Sequence, residues 1–463
     1  MPEMHPLVIL GIGVAVVLGM IIALRINAFL ALITAAIVVS LLAPGALGEK
    51  ISRVAGTFGE TAGKIGIVIA LAAVIGRCLI DSGAADRIVR MFVGLLGEKR
   101  CAISLMSSGF VLSIPVFFDT VFYLLLPLAR SMHRRTGMNY LLLILAMAAG
   151  ASVTHSLVPP TPGPLIIAET LGIDLGMMIM MGIVVALPTS IIMLFFIRFL
   201  TRRIDIPMRP LEGGGPEPEP LSDEELPGLL PSILPIILPV VMISTHTIVS
   251  TVASGAEAGS GLKRAEEFTA LFGNANLAML LSAAIALTVL WRQRRPSGRE
   301  FARIVESSLM SGGMIILITS AGGAFGAMLK VAAVGEAIER LFAGDGGQGL
   351  VGVKLLFMAF FVAFLLKFAQ GSTTVSMITT SAMFAGLVGS GENIGLHPVY
   401  LACTIGFGAQ CGNWMNDSGF WVFAKMGGLT EVEALKTWTV TCSTMAVVGT
   451  ILTVILASIL PLV

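Results

Sequence analysis

The stretch His155–Pro164, HSLVPPTPGP, sets four prolines in ten residues between two long apolar runs. YLLLILAMAAGASVT (140–154) precedes it and LIIAETLGIDLGMMIMMGIVVALPTSIIMLFF (165–196) follows. Proline lacks an amide hydrogen and its ring clashes with the carbonyl one turn back, so this segment breaks a helix. The flanks, however, read as helix in hydrocarbon. A broken, polar backbone at membrane depth is tolerated only where protein buries it or where it lines a watery cavity.

The composition supports a membrane setting. The 463 residues are 56% hydrophobic and 12% charged, with a mean hydropathy of +0.94. A soluble domain carries about twice that charge fraction. Repeated apolar runs match the roughly 20 residues needed to cross a bilayer core. The formal net charge of +1 gives no reason to expect a nucleic-acid partner. The first run, Leu7 to Leu24, follows no basic segment and is read as a retained span rather than a signal peptide. Cys78, Cys101, Cys403, Cys411 and Cys442 sit singly in apolar surroundings, and neither C-x-x-C nor H-E-x-x-H occurs. No disulfide framework, metal site or cofactor is therefore expected.

Candidate crossings are 7–24, 27–43, 64–81, 140–170 and 175–199, then 229–250, 269–291, 311–330, 398–425 and 434–461. Between these sets lies RPLEGGGPEPEPLSDEELPG (209–228), whose Gly, Pro and acidic content predicts an exposed linker. Three parts follow: a first transmembrane repeat (1–208), the linker (209–228) and a second repeat (229–463). Two further apolar stretches, 101–131 and 351–388, are too short for two crossings and a turn, which need about 40 residues. Each is interrupted, by SIPVFFDT (113–120) and by KFAQGSTTVS (367–376), as a re-entrant hairpin would be. With both termini outside, the basic segments (Arg25, 86–100, 130–135, 198–203 and 291–299) all fall inside, as the positive-inside rule requires.

Displacement by 256 residues aligns Gly150 with Gly406, Gly163 with Gly419, Ala168 with Ala424 and Gly172 with Gly428. Displacement by 250 aligns Gly76 with Gly326 and Ile88 with Ile338. Five crossings per half is an odd number, so the second copy is expected upside down. The fold class predicted is an all-α polytopic membrane protein of two inverted repeats, each with about five crossings, a hairpin and a broken helix. Such repeats place substrate and ion sites near the midplane of many secondary transporters. His155–Pro164 then pairs with Cys411–Phe420, CGNWMNDSGF, and the four breaks (113–120, 155–164, 367–376, 411–420) would build one site.

The candidate residues cluster at those breaks. Asp119 is a carboxylate at bilayer depth, read either as proton relay or as helix cap. Asp417, crowded by Asn413, Asn416 and Ser418, is read either as part of a binding loop or as an Asx-turn. His155 could shuttle protons or be structural, and His246, near the end of its span, is read as structural. Gln370, Gly371, Ser372, Thr373 and Thr374 offer hydroxyls and an amide at the second hairpin tip, although Ser and Thr also glue membrane helices together. Ser113, Thr120 and Thr161 complete the candidate binding set. Asp119, His155 and Asp417 are the proton-coupling candidates, with Asp119 first because a hairpin tip can change its solvent exposure. Lys367 would lie deep and either neutralise an anion or pair with an acid, whereas Arg77 is expected to snorkel. An intramembrane enzyme using Asp119 and Asp417, or a passive channel, are the competing classes.

At IALAAVIGRCLIDSGAADRI (69–88), SIPVFFDTVFYLLLPLA (113–129), HSLVPPTPGP (155–164), NDSGFW (416–421) and LKTWTV (435–440) the chain resembles the gluconate permease family. These gluconate:proton symporters include carriers of D-serine and of other small hydroxy-acids. The resemblance implies proton-driven uptake of a small anionic hydroxy-acid across a bacterial inner membrane, without ATP. It also implies kinship with the ion-transporter superfamily, in which one domain moves as an elevator. Protons, the substrate anion and the lipid bilayer are the implied partners, and a homodimer is compatible with them.

Overall fold

The computed structural model describes residues 4–209, 222–257, 260–334, 337, 352–389, 394–415 and 417–462. Every regular element among them is helical. The first half runs α1 (Pro6–Leu18, prolonged by a π-helical turn, Gly19–Ala23), α2 (Ala28–Leu42), α3 (Ser52–Asp81), α4 (Ala84–Leu96), α5 (Cys101–Leu112) and α6 (Phe118–Thr136). It closes with α7 (Tyr140–Leu157), α8 (Pro162–Thr170) and α9 (Leu175–Thr201). The second half runs α10 (Leu229–Ala253), α11 (Gly261–Phe272), α12 (Ala275–Arg294), α13 (Gly298–Val331), α14 (Val353–Gln370) and α15 (Thr373–Gly389). It closes with α16 (Pro398–Gln410), α17 (Ser418–Trp421, prolonged by a π-helical turn, Val422–Met426) and α18 (Glu431–Ile459).

Seven helical stretches among the described residues are long and apolar enough to cross a membrane. Their faces are sorted for lipid. On α9, Val184, Leu187, Ile191, Phe195 and Phe199 recur every three or four residues and are exposed, whereas Gly182, Thr189, Ser190 and Met193 are buried. Apolar side chains pointing outward and small or hydroxyl side chains inward is the arrangement expected of a helix whose solvent is hydrocarbon. The inward hydroxyls are satisfied locally: Thr189 donates to Val185 O (2.7 Å) and Ser190 to Ala186 O (2.9 Å).

Both predicted hairpins form. The first is α5 and α6, joined through Ser113–Phe117, and Glu98 and Arg135 at its two ends meet in an ion pair. The second is α14 and α15, joined through Gly371 and Ser372, with the Gly352 N–H donating to Ile394 O (2.8 Å) across its ends. Each hairpin therefore brings its two ends to one side of the molecule. α5 packs along α7, and α14 along α16, at close range. A Cβ on Gly109 would run into the Met147 carbonyl, and one on Gly408 into the Phe360 carbonyl, so only glycine fits these crossings. Cysteines introduced at Lys99 and at Ser131 should accordingly be labelled by an impermeant thiol reagent from the same face. The protein's own five cysteines are buried and give little background. Labelling from opposite faces would contradict the hairpin.

Helix boundaries also recur at the displacements seen in the sequence. The 256-residue displacement carries Pro162–Thr170 onto Ser418–Met426 and Leu175 onto Glu431, and the 250-residue one carries Asp81 onto Val331.

Several expectations need adjustment. α3 begins at Ser52 rather than 64, and α13 at Gly298 rather than 311, because helix continues through polar turns that an apolar count omits. The break expected over 155–164 narrows to 158–161. His155 lies in the last turn of α7, and Pro162 and Pro164 lie in the first turn of α8, where the missing N–H has no helical partner to lose. Residues 210–221 of the linker lie outside the described residues. Arg209, at its start, donates to both carboxylate oxygens of Glu433 (2.6 Å each) and to Gly428 O (3.0 Å), tying the end of the first half to the second.

Candidate functional site

Four chain breaks meet around one cavity of about 480 Å³. The first residues of four helices line it: Phe118 and Asp119 of α6, Pro162 of α8, Thr373 and Thr374 of α15, and Ser418 and Gly419 of α17. The first turn of a helix carries backbone N–H groups without intrahelical partners, together with the positive end of the peptide dipoles. The positive dipole ends of these helices favour an anion in the cavity, although Pro162 offers no N–H and two N–H groups of α17 already go to Asp417.

The α17 end is built around Asp417. As N-cap of α17, its Oδ1 accepts from Gly419 N (2.5 Å) and Phe420 N (3.3 Å). Its Oδ2 accepts from Lys367 Nζ, and that ammonium also donates to Gly371 O (2.5 Å). Lys367 is wholly buried in the last turn of α14. The pair therefore fastens the second hairpin tip to the broken helix α16–α17, in a place where water would not screen it. A second clamp lies beside it: Trp414 stacks on Phe368 (5.0 Å between centroids) and its Nε1 donates to Phe368 O (3.1 Å). Gly371 makes the tip turn possible with φ +86°, a left-handed conformation that costs glycine little.

Of the other candidate residues, Asp119, His155, Ser372 and Asn413 line the same cavity. The Asp119 carboxylate has no hydrogen bond or ion pair among the described residues, in contrast to Asp417. The His155 ring stands edge-on to Phe117 (6.0 Å, 72°), and its Nδ1 has no partner among the described residues. Asn413 leaves its Oδ1 without a partner among the described residues, while its Nδ2 reaches Cys442 Sγ (3.5 Å). Ser113 and Thr161 lie outside the lining and serve the breaks themselves: Ser113 donates to Val116 O (3.2 Å) and Thr161 to Val158 O (2.6 Å). Thr120 faces a second, smaller cavity. Asn416 and the side chain of Gln370 lie outside the described residues.

The cavity also has members that sequence reasoning did not single out. Ser152 and Ser156 share the α7 face with His155, and helical spacing alone could have found Ser152 three residues before it. Ser152 accepts from Gln410 Nε2 (2.5 Å), joining the two long half-helices. Trp438 closes one wall, stacked between Phe118 (5.3 Å) and Phe423 (4.9 Å), with its Nε1 lacking a partner among the described residues. Ile315 and Ile318 of α13 add apolar surface to the lining. No group of three His, Cys, Asp or Glu side chains suited to a metal ion occurs among the described residues.

The family model described as GntP family permease matches residues 5–460. A gluconate permease of Bacillus licheniformis is 29% identical over 98% of this chain and 99% of its own length. The Gnt-II system L-idonate transporter of Escherichia coli is 29% identical over 96% of this chain and 97% of its own. The high-affinity gluconate transporter of that bacterium is 28% identical, again over 96% and 97%. Two solved structures share the fold at 14% identity and a TM-score of 0.63. They are Neisseria gonorrhoeae MtrF, covering 92% of this chain and 94% of its own, and the Alcanivorax borkumensis YdaH transporter, covering 99% and 100%.

Proposed function

Since this chain belongs to the GntP permease family, we propose that it takes up gluconate or a closely related sugar acid together with protons. It is a multi-pass permease of the bacterial inner membrane; the substrate and the coupling are our reading. One observation carries that reading: four helix N-termini converge with hydroxyl and amide side chains on a cavity containing two carboxylates and adjoining a buried lysine. The positive ends of the helix dipoles suit the substrate carboxylate. Thr373, Ser418 and Asn413 suit its hydroxyls. The volume falls within the range of small-molecule sites, roughly 300–1,000 Å³.

In this reading the two halves, 1–208 and 229–463, are inverted repeats joined by a cytoplasmic acidic linker, and the cavity opens alternately to each face. An unprotonated Asp119 repels an anionic substrate from the same space. A proton on it removes the repulsion, and proton and anion then travel together. An intramembrane enzyme built on an Asp119–Asp417 dyad has less support, because Asp417 is engaged by Lys367 and two backbone N–H groups.

The test is transport by the purified protein in liposomes under an imposed proton gradient, with gluconate, idonate, glycerate and D-serine compared. Concentrative uptake of a sugar acid supports the reading. Uptake of D-serine or glycerate alone would reassign the substrate, and non-saturable flux would indicate a channel. A single-residue check accompanies it. Thr373→Ala should leave the protein folded and lower sugar-acid affinity several-fold, because a lost hydrogen bond to a neutral hydroxyl costs roughly 0.5–1.5 kcal/mol. Unchanged affinity would move the hydroxyl-reading surface away from the second hairpin tip.

A further inference from the structure

A second cavity of about 220 Å³ lies on the other side of the first hairpin tip, between that tip and helices α3 and α13. It is lined by Arg77, Thr120, Ser307, Ser308 and Ser311, among others. Phe117 is the residue common to its lining and that of the central cavity. Phe117, in the extended break before α6, thus borders both spaces.

This second space sets one cation beside several hydroxyls. Arg77 uses its Nε on Asp81 Oδ2 (2.7 Å), and its two terminal nitrogens have no hydrogen bond among the described residues. Ser307 and Ser308 donate back to Ile304 O (2.9 and 2.7 Å) and Ser311 to Ser307 O (3.2 Å), which leaves their oxygens able to accept from a polyol. A guanidinium beside a row of hydroxyls suits a hydroxylated carboxylate, since Arg presents paired donors to a carboxylate. Its side of the molecule is identifiable as well. Asp81, which holds Arg77, accepts at its carbonyl from Arg294 Nε (2.6 Å), within the basic run 291–299. Basic connections mark the cytoplasmic face.

We propose that this cavity is a second, weaker site for the transported hydroxy-acid on the cytoplasmic side, with Arg77 as its cation and Phe117 as the ring bordering both it and the central site. Arg77 is then a substrate-contacting residue of the release route rather than only a snorkelling one. The inference rests on the sugar-acid reading of the central cavity and adds to it a sidedness that reading does not require.

The experiment uses right-side-out and inside-out membrane vesicles containing the full chain, with gluconate varied on one face at a time. Arg77→Gln should raise the KM measured at the cytoplasmic face about tenfold and leave the KM at the outer face unchanged. Arg77→Lys, which keeps the charge without the fork, should recover part of the loss. The outer-face KM shows that the variant is folded and that its central site is intact. In parallel, Ser311→Cys should be alkylated from the cytoplasmic face and protected by gluconate. Equal KM changes at both faces, no change at either, or alkylation indifferent to gluconate would overturn the proposal. A parent protein that carries no sugar acid would instead overturn the central reading, and with it the ligand assigned to this second site.

Discussion

Lys367→Met is expected to cost the folded protein about 3–5 kcal/mol and to abolish transport. Lys367 is wholly buried, and its ammonium bonds Asp417 Oδ2 and Gly371 O. Removing it strands the Asp417 carboxylate in a place with little water, and a buried charge without its partner is far more costly than a buried neutral group. The second hairpin tip also loses its fastening to α17. Asp417→Asn alone should be comparably damaging, because it strands the ammonium instead. The double variant Lys367→Met, Asp417→Asn should regain most of the lost stability. It removes both charges at once, and an asparagine still caps a helix N-terminus well. Thermal unfolding of the parent, both single variants and the double variant forms a cycle that isolates the coupling between the two residues. Losses that simply add would mean that the two side chains do not hold one another. Transport by the double variant should remain low even where its stability returns, since the charge pattern around the anion is changed.

This pair shows why the site was only half legible in the sequence. Lys367 and Asp417 each stand out as charges in an apolar chain, so each could be singled out as a residue at depth. Their partnership could not, because 50 positions separate them and no local pattern joins them. The breaks themselves were readable for a local reason. Proline, glycine and clustered Asn, Asp and Ser disrupt helices by mechanisms that act within one turn. Their edges were less so: Pro162 and Pro164 open α8 rather than interrupting it, because proline suits the first turn as well as the break. The apolar part of the lining was invisible. Ile315 and Ile318 face the cavity while Leu309 and Met314 on the same helix are exposed at the surface, and nothing in the character of a leucine or isoleucine distinguishes those destinations. Trp438 illustrates the intermediate case. It stood within a motif quoted for the resemblance, but its place between Phe118 and Phe423 depends on three separate elements coming together.

Asp119→Asn should produce a carrier that exchanges substrate across the membrane but does not accumulate it. Asp119 lines the central cavity in the first turn of α6, and its carboxylate has neither an ion-pair nor a hydrogen-bond partner among the described residues. That sets it apart from Asp417, whose charge is already balanced by Lys367 and held by the start of α17. A proton arriving in the cavity therefore meets one carboxylate that is committed and one that is not. Charged Asp119 and an anionic substrate oppose each other's presence, so a proton on Asp119 and an anion in the cavity favour each other. By linkage the effect is reciprocal, each binding step strengthening the other by the same factor. Asparagine has nearly the shape of the protonated carboxyl and stays neutral at every pH, which keeps the space open to the anion and removes the proton requirement. Equilibrium exchange of labelled sugar acid across liposomes should persist, and its pH dependence should flatten. Net uptake driven by a proton gradient alone should fall to the passive level, because nothing in the variant takes up a proton on one face and releases it on the other. Both assays can be run on one preparation, so loss of both would point to a folding defect rather than a coupling defect. If Asp119→Asn accumulates substrate as well as the parent does, Asp119 is not the coupling group. His155, which lines the same cavity with an unpartnered Nδ1, then becomes the group to replace next.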